Sequence, residues 1–152
     1  PFAVILPDDL CVNDGESVLS QMSKVYKNNP DCCIVAIEEV PSSEVGKYGV
    51  IDGESIADSN NTFRVNSMVE KPSIEDAPSN LAIIGRYILT PEIFKILQST
   101  EPGLNGEIQI TDALMSLAKK GRVIAYKFEG TRFDCGSLEG YLDANNFFAK
   151  NH

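Results

Sequence analysis

The residues of this chain best placed to do chemistry are three aspartates, a glutamate and a lysine in short local contexts. Asp8 and Asp9 close the segment Leu6-Pro7-Asp8-Asp9, directly after an apolar run. That places them at the C-terminal end of an expected buried strand, the edge of an open α/β sheet where ligand sites concentrate. A hard oxygen ligand there suits Mg²⁺; two solvated acids on a turn leading to a helix are the plain alternative. Asp134, in Arg132-Phe133-Asp134-Cys135-Gly136, is read in a loop before a helix, where the helix dipole alone would also favour an acid. Mg²⁺ keeps several waters and takes one or two carboxylates together with substrate phosphates, so Asp8 and Asp134 suffice if the fold joins them. Glu70-Lys71-Pro72 ends an alternating segment. Pro72 is expected to hold Lys71 extended, and successive strand side chains point to opposite faces. Both can then reach one ligand only if the strand bends or ends at Glu70. The competing reading is a solvated charge pair on an edge strand.

Much other chemistry is excluded. The one histidine, His152, is the terminal residue, where disorder is expected, so imidazole catalysis and histidine-dependent zinc patterns are not available. None of the 11 glycines falls into G-x-G-x-x-G or G-x-x-x-x-G-K-[ST], the phosphate-cradling patterns. Cys11, Cys32, Cys33 and Cys135 show no Cys-x-x-Cys spacing and read as reduced thiols, which suits the cytoplasm. Thirteen Lys and Arg against 22 Asp and Glu give a net charge of −9, which disfavours nucleic acid and anionic membrane surfaces as partners. No apolar stretch approaches the ~20 residues of a membrane span.

The elements that must position these groups follow from apolar periodicity. At 152 residues, 43% hydrophobic, the chain reads as one domain, 1–152, that buries an ordinary core. Ala3–Leu6 is a continuous apolar run, expected to be buried on both faces with parallel neighbours. Val18, Leu19, Met22, Val25 and Tyr26 stripe a helix over about 16–27, and Cys33–Ile37 is a second buried strand, giving a βαβ opening with a right-handed crossover. Phe63, Val65, Ser67 and Val69 alternate with polar neighbours along a half-exposed, antiparallel strand. Residues 81–89 form a further strand with Gly85 inside it, a place for a bulge or for close approach by a ligand. Thr90 and Thr111 read as N-caps of two helices separated by a loop at 102–106, and Gly121 ends the second. A strand over 123–128, a loop over 130–136 and a final helix striped by Leu138, Tyr141, Leu142 and Phe148 complete an α/β fold, a mixed sheet with helices on its faces. The chain opens inside a strand without an initiator Met and is treated as a piece of a longer protein.

Six segments together carry a family resemblance: LPDD (6–9), KYGV (47–50), MVEKP (68–72), SNLAIIGRY (79–87), GEIQITDAL (106–114) and FDCGSLEGY (133–141). In this order the chain resembles the C-terminal part of bacterial UTP-glucose-1-phosphate uridylyltransferases. The resemblance implies a Rossmann-like sheet of the nucleotide-diphospho-sugar transferase type. It implies an enzyme that makes UDP-glucose and pyrophosphate from UTP and glucose-1-phosphate with Mg²⁺. Carried over by position, Asp8 and Asp134 become metal ligands, Glu70 and the backbone at Gly49 partners of the glucose hydroxyls, and Lys71 the cation beside the sugar phosphate. Ile83 and Asn80 are expected to line the sugar pocket, and Gly136 to leave room for the metal loop. The family's N-terminal G-x-G-T-R loop and its lysine have no counterpart in these residues, so the piece alone is expected to be inactive or nearly so. Thymidylyl or other nucleotidyl transfer, or a sugar-phosphate-binding module without chemistry, stay open as alternatives. A homo-oligomer is the expected assembly.

Overall fold

The structure, a computed structural model, describes residues 1–56, 59–103 and 106–151, with Asn151 described by its backbone alone. His152, and Leu104 and Asn105 of the expected 102–106 loop, lie outside the described residues. In chain order the elements are β1 (Phe2–Ile5), β2 (Asp9–Val12), α1 (Val18–Asn28), β3 (Cys33–Glu39), a 3₁₀ turn (Ser42–Lys47), β4 (Gly49–Ser55), β5 (Thr62–Glu70) and β6 (Leu81–Leu89). They continue with α2 (Glu92–Leu97), α3 (Ile110–Ala118), β7 (Val123–Lys127), β8 (Thr131–Asp134) and α4 (Leu138–Asn151).

β3 is the spine because both its faces are apolar. Cys33, Val35 and Ile37 pack with Leu114 and Leu117 of α3 and Ile93 of α2, while Ile34 and Ala36 pack with Val18 and Met22 of α1. Helices therefore cover both faces of a six-stranded sheet ordered β1-β6-β3-β7-β5-β4, in which β3–β7 is parallel and the other neighbours are antiparallel. The expected mixed, helix-flanked sheet is observed. Among the described residues no helix is long and apolar enough to cross a membrane.

Several expectations are corrected. Among the described residues β1 pairs with β6 alone and antiparallel rather than parallel, with β6 between β1 and β3, and Ile5 is 52% exposed. An apolar run specifies burial but not which strand lies beside it. β1 and β3 do run in the same direction, as the βαβ pattern requires. The loops expected around Asp9 and at 130–136 contain β2 and β8, which pair only with each other. Thr90 does not cap α2: its hydroxyl lies 3.6 Å from the buried Cys33 Sγ, and Pro91 occupies the cap position. Thr111 lies inside the first turn of α3, whose cap position is Gln109. Gly121 does end that helix, at φ +69°, with its N–H donating to the Ala118 carbonyl. In α4 Leu138, Tyr141 and Leu142 of the expected stripe face outward, with Leu138 76% exposed, while Phe148 is partly buried beside Phe147. The opposite face, Gly140, buried Ala144 and Phe147, meets β8, because a Cβ at Gly140 would lie only 2.1 Å from the Asp134 carbonyl oxygen. The glycine permits the close approach, and Phe147 packs against Phe133 of β8 beside it.

Candidate active site

The acidic end of the site is built by the β2–β8 ribbon. Its antiparallel register sets Asp9 opposite Asp134 and Cys11 opposite Arg132, and the Cys135 N–H donates to the Asp8 carbonyl at 2.8 Å. The two expected metal ligands are thereby neighbours. A Cβ at Gly136 would lie 3.1 Å from Asp134 Oδ1 and 3.2 Å from Asp8 Oδ2, so both carboxylates converge on the space that glycine leaves. The Gly136 N–H also donates to Asp134 Oδ1 at 3.1 Å.

Asp9 turns the other way. It is 7% exposed, accepts the Gly85 N–H at 2.6 Å on Oδ2, and pairs with Arg132 Nε through Oδ1. The approach to Gly85 is made by the chain itself rather than by a ligand: a Cβ there would come within 2.5 Å of Leu6 Cβ and 2.7 Å of Asp9 Oδ2. Arg132 is the centre of this end. Besides Asp9, its guanidinium reaches Glu38 Oε2 at 3.3 Å and Asp134 Oδ2 at 3.4 Å, and it lies 5.0 Å from the Tyr48 ring centroid. Burial works against its charge, but the Tyr48 hydroxyl and the Asp9 carboxylate outweigh that and push its pKa above the ordinary arginine value. Burial raises the Glu38 and Tyr48 pKa values, with Arg132 opposing the shift in both.

The other end depends on a β-bulge. Asp52 pairs with Ser67 but Gly53 pairs with Val65, so Asn66 is the extra residue on β5. Gly53 permits it: a Cβ there would lie 2.9 Å from the Arg64 carbonyl oxygen. The bulge shifts the alternation by one, which buries Met68, exposes Val69 and puts Glu70 on the inward face, against the simple alternation read from sequence. Glu70 Oε2 accepts the Thr111 hydroxyl at 2.5 Å, and both crowd the position that a Cβ at Gly49 would need. Lys71 is not extended as Pro72 suggested. Its φ is +46°, the only positive value among the described non-glycine residues, and its N–H donates to the Tyr48 carbonyl. The strand thus ends at Glu70, and the turn at Lys71 lets both side chains border one space at a cost of order 1–3 kcal/mol in backbone strain.

These two ends face a single cavity of about 390 Å³. Asp8, Gly49, Glu70, Lys71, Ile83 and Asp134 all line it. Asn80 does not: its amide donates to the Val40 carbonyl at 3.3 Å, tying the end of β3 to β6, and it is removed from the candidate ligand set. Tyr87 also lines the cavity, with its hydroxyl pKa pushed up to about 12 by burial and by the nearby Glu70 and Asp9. Lining acids (Asp8, Asp9, Glu70, Asp134) outnumber lining bases (Lys47, Lys71, Arg132), so an added cation improves the charge balance. Among the described residues no three His, Cys, Asp or Glu side chains cluster as a self-sufficient metal cage. A pair of carboxylates beside an open cavity fits Mg²⁺, which completes its shell with water and phosphate oxygens.

Sequence reasoning missed Arg132, Tyr48 and Thr111. Arg132 and Asp134, two apart, share a strand face once 131–134 is seen as a strand, and this spacing was the available signal. Tyr48 stands inside the KYGV segment, but nothing local gives it a role.

A family model, Nucleotidyl transferase, matches residues 1–151. UTP–glucose-1-phosphate uridylyltransferase of Pseudomonas aeruginosa is 65% identical over 99% of this chain and 53% of its own length. The protein of that name from Mycoplasma genitalium is 41% identical over 99% of this chain and 51% of its own. Among solved structures, a UDP-glucose pyrophosphorylase complexed with UDP-glucose superposes with a TM-score of 0.94 at 58% identity, covering 99% of this chain and 57% of that one. A UTP-bound enzyme from Acinetobacter baumannii gives a TM-score of 0.85 at 37% identity, covering 99% and 51%. The chain spans about half the length of the curated relatives it matches. The resemblance read from the six segments is upheld, and the chain belongs to the nucleotidyl transferase family.

Proposed function

We propose that this chain supplies the sugar-phosphate side of a UTP–glucose-1-phosphate uridylyltransferase, whose product is UDP-glucose and whose leaving group is pyrophosphate. The observation that carries the reading is the single cavity that collects Asp8, Asp134 and the adjacent pair Glu70 and Lys71 from three distant parts of the chain. The named activities of its relatives lend support. In the reaction an oxygen of the sugar phosphate attacks the α-phosphorus of the nucleotide in line. A P–O bond forms to the α-phosphorus as its bond to the pyrophosphate oxygen breaks. The nucleophile is already anionic at neutral pH, so no general base is needed, in keeping with a site without histidine. Positioning and neutralisation of phosphate charge do the work.

Lys71 places an ammonium against the sugar phosphate as a point charge. Glu70, held by Thr111, accepts from sugar hydroxyls, and the bare backbone at Gly49 lets the ring approach. Ile83 gives the ring an apolar floor. Asp8 and Asp134 would hold Mg²⁺, which supplies neutralisation of the phosphate oxygens when bound. The four cysteines are free thiols, which fits a reducing cytoplasm. Because no glycine pattern here cradles a nucleotide phosphate, the 152-residue chain by itself is expected to turn over little or not at all.

The test is UDP-glucose formation from UTP and glucose-1-phosphate, and from dTTP, by a chain extended to the full length of its relatives. Formation of UDP-glucose in preference to the thymidine product is expected; no UDP-glucose would overturn the reading. In that chain Lys71→Ala should lower kcat/KM by ~10²-fold or more, ~3 kcal/mol of transition-state stabilisation. A loss below threefold would return Lys71 to the role of a solvated surface charge.

A further inference from the structure

We propose that Arg132 and Tyr48 are positioning residues for the cation site: they tether one oxygen of Asp134 so that the carboxylate offers only its other oxygen, beside Asp8. The inference rests on the reading of Asp8 and Asp134 as cation ligands. The two oxygens of Asp134 have different surroundings. Oδ2 accepts the Tyr48 hydroxyl at 3.1 Å and lies 3.4 Å from Arg132 Nη2. Oδ1 accepts the Gly136 backbone N–H at 3.1 Å and lies at the point on which Asp8 Oδ2 also converges, with its remaining lone pair toward Asp8.

The tether cannot move easily. The Arg132 side chain is 6% exposed and is held from its other side by Asp9 and Glu38, and it donates to the Tyr48 hydroxyl at 3.5 Å while lying over the ring. Pulling the guanidinium away would leave Asp9, itself buried, without its counter-charge. A planar guanidinium holds five donors in a fixed fork that reaches several carboxylates at set positions, whereas a lysine ammonium is a compact point charge with three donors. The consequence is that Asp134 binds a cation through one oxygen, leaving more of the coordination shell to water and substrate phosphate oxygens. Both residues border the cavity, and the role proposed for them runs through Asp134.

The test is Mn²⁺ titration of the chain extended to the full length of its relatives, followed by the EPR signal of the free ion, for the native chain, Asp134→Asn, Tyr48→Phe and Arg132→Lys, with far-UV circular dichroism to verify folding. Partners of metal ligands typically change affinity 10–100-fold, so Tyr48→Phe is expected to raise Kd about tenfold and Arg132→Lys more. Tyr48→Phe removes one half-buried hydroxyl and decides the matter by itself if Arg132→Lys does not fold. A Kd for folded Tyr48→Phe within twofold of native, while Asp134→Asn loses binding, overturns the tether and leaves the cation site standing. If the native chain takes up no Mn²⁺, or Asp134→Asn binds as well as native, the cation reading itself fails and the tether with it.

Discussion

At the acidic end of the cavity charged groups are held by other charged groups, whereas at the Glu70 end they are held by backbone geometry. Asp9, Glu38 and Asp134 surround one buried guanidinium, and the whole set depends on the β2–β8 register. Glu70 and Lys71 owe their shared direction to a bulge at Asn66 and a left-handed residue before Pro72. A charge-held site fails when one partner is removed, because the others are left buried and unpaired. A strain-held site stores energy, so relaxing it can stabilise the protein while removing function. The two ends should therefore respond in opposite ways to substitution.

The largest effect is expected at Asp9. Asp9→Ala leaves the Gly85 N–H without its acceptor and takes from Arg132 its nearest and most buried carboxylate, and should cost about 3–5 kcal/mol in urea unfolding; a cost below 1 kcal/mol would show that the charge-held end is not what holds the ribbon to the sheet. Gly85→Ala pushes a methyl against Leu6 and Asp9. It should cost about 1–3 kcal/mol, with Mn²⁺ affinity falling as well if the ribbon shifts. At the strain-held end, Lys71→Gly should leave stability unchanged or raise it by up to about 1 kcal/mol, since relief of the left-handed conformation is partly offset by glycine's chain entropy. UDP-glucose formation by the extended chain should nevertheless fall as far as in Lys71→Ala. A clear loss of stability would remove the strain from the comparison.

The smallest effect belongs to Glu38. Its folded-state pKa is raised, first by burial, so its ionisation opposes folding as pH rises above the ordinary glutamate value of 4.5. Glu38→Gln should thus be neutral or stabilising by less than about 1 kcal/mol at pH 7, with the difference fading as the solution is acidified toward the ordinary glutamate pKa. Thermal melts at two pH values check this. Destabilisation at pH 7 would mean that Glu38 is a required partner of Arg132 rather than a tolerated one.

The spine of the fold was readable because its signals are local. Five consecutive apolar residues at 33–37 and the stripe from Val18 to Tyr26 needed no partner to be recognised, and both stand as β3 and α1. β2 and β8 were not readable, because each is four residues long and, among the described residues, has the other as its one strand partner. The bulge that orients Glu70 was hidden for a similar reason. The glycine that permits it, Gly53, lies on the facing strand. Asn80, three positions from Ile83 on the same segment, has its amide on the Val40 carbonyl just after β3 rather than in the cavity, a placement that the segment's sequence does not reveal.

Composition and order of residues by themselves singled out carboxylates and a lysine as the candidate site groups and marked a two-faced apolar strand as the centre of the fold. Only the tertiary structure decided which aspartate meets which. Asp8 and Asp9 are adjacent and chemically identical, and they part because the ribbon turns Asp9 toward Gly85 and Arg132 while Asp8 faces Asp134. Such a choice is set by strand register between segments far apart in the chain, and shifting that register by one residue exchanges the two faces.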